Sequence, residues 1–316
     1  MKLVKAILLR LLFGVFSLFF ISFVTFVAGE FAPGDPATII GGEKASLATI
    51  KQIRHNLMLD QPWPRRYVRF VDHALHGDFG VSYYGTREPV SDILKRTVPI
   101  TAKLAFGAII VSSAVGIFFG ALAAVFQRKI ADKTVLTLST LGVTLPNFVL
   151  APILVYIFVI KLDRLPLTWD PVLKAPEIVY LILPVCILAA RPAALITRLT
   201  RASMIDTLDQ EFIRTAVAKG VPKFRLFYRH ALRNAILPVI TVIGTSFGFL
   251  LTGSFVIERY FLMPGLGSTV VDAILQTNMP VVQAGIFVTG AMFILLNLFV
   301  DILHPILDPR IRESQI

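Results

Sequence analysis

Charge is scarce in this chain and cysteine almost absent: 16% of the 316 residues are charged, and Cys186 is the single cysteine. One cysteine excludes an internal disulfide and a cysteine-rich metal site, and its place in an apolar run predicts a small, buried, apolar side chain. No H-E-x-x-H, G-x-S-x-G or G-x-x-x-x-G-K-[ST] occurs, so the common signatures of zinc proteases, serine hydrolases and nucleotide-binding loops are missing. Acids are rarer still inside the apolar runs. Asp301, near the end of the last, is the only one there, which leaves no carboxylate ladder for a proton relay. His73 and His76 stand three apart without a second pair or nearby cysteines, and they read as surface or packing side chains. The two similar halves with interrupted helices that mark many secondary transporters are not found either.

Apolar surface is what the chain has in excess. Hydrophobic residues make up 55% of it and the mean hydropathy is +0.74, more than a soluble domain of this size needs. A net charge of +11 would suit nucleic acid if it lay on one polar domain. Here the basic residues fall between apolar runs, so the sign reflects membrane topology, and no nucleic-acid partner is expected.

Six spans are predicted. Lys2, Lys5 and Arg10 flank a first run from about 7 to 28 that is too long for a signal-peptide core and has no A-x-A site after it, so it reads as a retained helix. A polar segment from 30 to 98 follows, exported regardless of its charge because of its length, with a short helix from Ser46 to Leu59. The second span runs from about 100 to 126, opened by Pro99, with Gly107, Ser112, Ser113, Gly116 and Gly120 suited to close helix approach. The third runs from about 135 to 160 with Pro146 and Pro152 inside it, and Trp169 follows as an interface aromatic. The fourth, 177 to 199, carries Arg191, an ionisable group that calls for snorkelling or a water-lined interior. The fifth runs from 236 to 257, with Gly244, Gly248 and Gly253 in it and Glu258 and Arg259 closing it outside. A turn at 261 to 267, a short helix from Asp272 to Met279 and a sixth span from 281 to 303 complete the chain. Basic residues exceed acids in the pieces this order places in the cytoplasm and balance them in the exported ones. Both termini are therefore expected in the cytoplasm.

Residues 211 to 238 form the longest strongly charged run between spans. Thr207 and Gln210 fit a capping box, and Gly220 and Pro222 a stop, so a short helix is expected between them. Phe212, Ile213, Ala216 and Val217 share one arc of it and Arg214 lies off that arc, an amphipathic piece too short to stand alone in water. Beyond Pro222, Arg225, Arg229 and Arg233 recur every four residues. Anionic headgroups and a protein partner are both open readings of this stretch.

Taken together, the residues describe an all-α membrane protein with no energy source of its own and one structured basic loop. At this point the stretch from Arg214 to Pro222, followed by Arg229 to Ala235 and Leu237-Pro238, resembles the cytoplasmic loop of permease subunits in ATP-binding-cassette importers, most of all the dipeptide, oligopeptide and nickel branch. Ala32 to Pro36, Leu59 to Pro62, His76 to Ser82, Pro264 to Gly267 and Leu307 to Arg312 extend the likeness over nearly the whole chain. The family loop has Glu-Ala-Ala ahead of its glycine. Arg214, Thr215 and Ala216 stand at those positions here, so no salt bridge can be assigned to the missing Glu, and Leu-Pro comes about five residues later than in the general pattern.

The resemblance implies a type I importer permease fold: a first helix within 1–29, an extracytoplasmic segment 30–98, a core 99–306 with a coupling loop at about 200–235, and a cytoplasmic tail 307–316. It implies that Phe212, Ile213, Arg214, Thr215, Ala216, Val217, Lys219 and Gly220 meet an ATPase subunit, with Arg225, Arg229 and Arg233 touching that subunit or lipid. Expected partners are a second homologous permease, two ATP-binding ATPases, an extracytoplasmic solute-binding protein and membrane lipid. No cofactor is expected in this chain, ATP and Mg being held by the ATPases, and no catalysis. Peptide is the expected solute; nickel or another small solute, and a membrane scaffold or receptor with a lipid-binding loop, are the alternative readings.

Overall fold

The structure, a computed structural model, describes residues 2–32, 34–42, 44–170 and 176–307, without the side chains of 2–7, Gly253, Asp301 and 303–307. The expected tail motif at 308–312, part of the loop before Pro176 and the Asp301 side chain lie outside these. Five helices are long and apolar enough to cross a membrane: α1 (Lys2–Glu30), α5 (Val90–Val125), α8 (Glu177–Leu208), the stretch Lys223–Thr252 and α14 (Met279–Leu307). Between α1 and α5 lie α2 (Pro36–Gly41), α3 (Leu47–Asn56) and α4 (Trp63–Leu75). The serine expected at the start of α3 does cap it, Ser46 Oγ accepting the Thr49 N–H.

The third span is not one straight helix. α6 (Ile130–Thr144) and α7 (Asn147–Val155, continued as a π-helical turn Tyr156–Lys161) meet at a bend of 109°. Pro146 is the cause: it lacks an N–H, it adopts an extended conformation (φ −65°, ψ 147°), and it forces the residue before it out of the helix. Pro99 behaves differently. It lies inside α5, which begins nine residues before it, after Pro89. The fourth span is likewise longer than expected, running on to Leu208.

Packing centres on α5 against α8, where the predicted small residues meet larger partners. A Cβ at Gly116 would stand 2.6 Å from Ile196, and one at Gly120 would stand 2.6 Å from the Thr197 carbonyl oxygen, so the two backbones close to a distance no larger residue permits. Lys103 Nζ and Glu177 close the same pair at one end (2.7 Å). Leu104, Ala108, Ile187 and Leu188 lie in the main core with Ala151 and Val155 of α7. Cys186 breaks the expectation set for it: it is exposed.

The polar segment docks on the bundle through Tyr67, buried among Phe19, Phe23 and Phe26 of α1 with its hydroxyl 2.9 Å from Ser22 Oγ. His73 and His76 hold no metal site together: His73 Nδ1 pairs with Asp78 (2.9 Å) and His76 Nδ1 with the Asp72 carbonyl, and no metal-holding cluster exists among the described residues. The Gly80 N–H, and then His73, hold the Asp78 carboxyl below the usual carboxylate range. At the far end, Asn278 accepts from the Tyr83 N–H (3.0 Å) and donates to Ser82 Oγ (2.8 Å), tying this segment to the start of α14.

Candidate functional site

The short helix after α8 exists, with a different start. Thr207 does not cap it; the Thr207 hydroxyl donates back to the Ser203 carbonyl inside α8 (2.7 Å). The chain turns at Asp209, Gln210 takes up extended geometry as N-cap without a side-chain bond, and α9 runs Glu211–Ala218. Its end is built as the glycine predicts. Gly220 has φ +76°; the Gly220 N–H donates to the Val217 carbonyl (2.9 Å) and the Val221 N–H to the Ala216 carbonyl (3.2 Å). That pair of bonds is the Schellman cap, and it needs a left-handed residue that a side chain would strain.

The apolar arc divides in two. Ile213 and Ala216 are 4% and 8% exposed, packed with Met204, Leu226, Ala231 and Ala235 of the same chain. Phe212 and Val217 are 41% and 57% exposed. The four therefore do not form one outward face: the chain itself holds α9 by its inner pair, and the outer pair is left over. Burying Ile213 alone is worth roughly 2 kcal/mol. Arg214, Thr215, Lys219 and Gly220 are all exposed, with Arg214 3.5 Å from Glu211.

After Pro222, here the N-cap, one helical turn α10 (Lys223–Arg225) passes into a π-helical stretch, Leu226–Leu232, and then α11 (Arg233–Gly253). Leu226 and Ala231, five residues apart, are both buried, and a π turn is what places i and i+5 on one side. Arg225, Arg229 and Arg233 are exposed and have no ion-pair partner among the described residues. Their four-residue spacing does not follow one α-helical face, because the π turn lies between them. Phe224 and Tyr228 stack beside them, rings 9° from parallel and largely exposed. The sequence sets Phe224 and Tyr228 beside the arginine row, and their i, i+4 spacing lets the two rings meet.

Two further groups brace the molecule, and neither stands out in the sequence. Asp132, buried at the start of α6, accepts both ends of the Arg201 guanidinium (2.5 and 2.8 Å) and the Arg128 N–H (2.8 Å). It ties the loop between α5 and α6 to the last turns of α8, next to α9. The second corrects an expectation. Glu258 does not close the fifth span at the surface; it is 0% exposed in α12 (Phe255–Tyr260). The Thr101 hydroxyl (2.7 Å), the Ser254 hydroxyl (2.6 Å) and the Ser268 N–H (2.9 Å) all donate to it. Arg259, in contrast, is exposed and pairs with Asp272. The helix expected from Asp272 starts earlier, as α13 (Leu266–Leu275), because its first turn supplies the Ser268 N–H to that carboxylate.

These features define an all-helical, multi-span membrane protein whose fourth span runs into a short capped helix, half held and half exposed. The profile described as binding-protein-dependent transport system inner membrane component matches residues 116–313, and the one described as binding-protein-dependent transport system membrane component, N-terminal, matches residues 3–105. The chain belongs to this family: it is a permease subunit of an ABC importer and a transport rather than a catalytic subunit. It is 36% identical over 314 residues to the probable peptide ABC transporter permease protein y4tP of Sinorhizobium fredii, covering 98% of this chain and 97% of that one. It is 37% identical over 303 residues to the glutathione transport system permease protein GsiC of Escherichia coli K12, covering 96% and 97%, and 37% identical over 306 residues to GsiC of Salmonella paratyphi A, covering 97% and 98%.

Proposed function

We propose that this chain and a second, homologous permease form the membrane pathway for ATP-driven import of short peptides, which an extracytoplasmic binding protein delivers. Two ATPase subunits carry the ATP and Mg chemistry, and both termini of this chain lie on their side of the membrane. The observation that carries the reading is the divided arc of α9. Ile213 and Ala216 fasten the helix to α8 and α11, so a push on Phe212 and Val217 is passed to the spans instead of being lost in a loose loop. A lever of this kind works by having two arrangements with different contacts. The names of the relatives, peptide and glutathione permeases, support a short peptide as solute. Arg225, Arg229 and Arg233 flank this helix, free to meet lipid phosphate or the ATPase surface.

Replacing Gly220 by valine tests the lever. A β-branched residue at φ +76° is strained by about 1–2 kcal/mol, enough to move the end of α9. Uptake, and ATPase stimulation by loaded binding protein, should both fall at least about tenfold in a complex that still assembles. If both persist unchanged, α9 is not the lever.

A further inference from the structure

We propose that Arg191 anchors a carboxylate-binding site inside the membrane, where a solute crossing the permease is held by its anionic end; this rests on the reading of the chain as a peptide permease. At 1.5 Å per residue, Arg191 lies about 21 Å along α8 from Glu177, within the roughly 30 Å of a bilayer's hydrocarbon. No hydrogen bond or ion pair reaches it from the described residues. A guanidinium at that depth requires water or an anion beside it.

It opens on a cavity of about 390 Å³ between the start of α7, the middle of α8 and α11. Ser246 lines the same cavity. It is only 8% exposed, and its hydroxyl has no partner among the described residues. Its neighbours in α11 behave otherwise, Thr245 and Thr252 donating to carbonyls of their own helix. Asn147, also on the cavity and also unpartnered, is the first residue of α7. The bend at Pro146 therefore turns the positive end of a nine-residue half-helix toward the same space.

The cavity thus collects donors: a guanidinium, a carboxamide, a hydroxyl and a helix N-terminus. No Asp or Glu lines it; Thr252 also lies on it, its hydroxyl already bonded within α11, and the rest of its wall is leucine, phenylalanine and proline. Its complement is a small anion with several acceptor oxygens on an otherwise apolar body. A peptide carboxylate has that chemistry, and a planar carboxylate is what a guanidinium fork binds best.

The test uses the whole transporter, with its second permease, ATPases and binding protein, in proteoliposomes. A radiolabelled tripeptide with a free carboxylate is delivered on the binding protein, and its retention is measured in the complex arrested with vanadate. Uptake of this peptide and of its C-terminal amide is then compared at matched occupancy of the binding protein. Arg191→Gln should lower retention at least about tenfold and bring uptake of the acid down to that of the amide, with assembly and basal ATPase activity unchanged. Arg191→Lys should keep most of the preference for the acid, and Ser246→Ala should lower retention by a few-fold. Retention by Arg191→Gln equal to wild type overturns the inference, as does an equal loss for acid and amide, the result expected if a lipid phosphate occupies the site. Failure of Arg191→Gln, but not Arg191→Lys, to assemble also overturns it, since Arg191 would then pair with a carboxylate of the second permease. A wild type that imports neither peptide removes the peptide reading itself, whereas a wild type that imports both with no effect of the variants removes only this site.

Discussion

Glu258 shows how much one side chain can organise. A carboxylate removed from water needs its acceptor sites filled, and here two hydroxyls and one N–H fill them from three parts of the chain. A Cβ on Gly265 would stand 2.4 Å from its carboxyl carbon, so the turn before α13 is shaped around it. Glu258→Ala should leave those donors facing a void and cost about 3–5 kcal/mol. Glu258→Gln keeps the shape and one acceptor and should cost less than half of that. Melting midpoints of the purified complex check the order. Nothing local in the sequence announces this role, because Glu next to Arg at a span end looks like an interfacial pair and the donor at 101 is far away along the chain.

At the scale of elements, the two halves of α9 separate by experiment. Ile213→Ala removes a buried side chain and should destabilise the permease itself by about 2–4 kcal/mol, read as a lower melting midpoint of the isolated subunit. Val217→Ser changes an exposed position and should leave that midpoint within about 1 °C. It should instead lower the amount of ATPase that copurifies with the permease. The helix and its glycine stop were legible in the sequence because amphipathic period and left-handed caps are local signals. The division of the arc was not, since it depends on Leu226, Ala231 and Ala235 returning from further along the chain. The bend in the third span belongs to the same class: Pro146 was visible, but so was Pro99, which lies inside an unbroken helix, so a proline in an apolar run does not by itself announce a bend.

Across the whole molecule, the close pair α5–α8 forms a stiff spine, braced near one end by Glu258 and near the other by Arg201 on Asp132. The spans and the small residues joining α5 to α8 could be read directly from hydropathy and glycine spacing. The braces could not, since each joins side chains many positions apart, Thr101 to Glu258 and Asp132 to Arg201. Asp132→Asn should loosen the lower brace without unfolding the spans, so that ATP hydrolysis continues while solute uptake per ATP falls several-fold. The reversed pair, Asp132→Arg with Arg201→Asp, should recover part of that ratio, and proteoliposome measurements of both rates decide it.

The exposed position of Cys186 gives the wild-type chain a ready-made depth gauge. A single exposed thiol, about 13.5 Å along α8 from Glu177 by the helical rise, takes one fluorophore without any cysteine being removed first. Quenching by labels carried at different depths on lipid chains would then report whether α8 slides along the membrane normal during the ATP cycle. The same dye would go dark to every lipid label if the second permease covers that side of the helix.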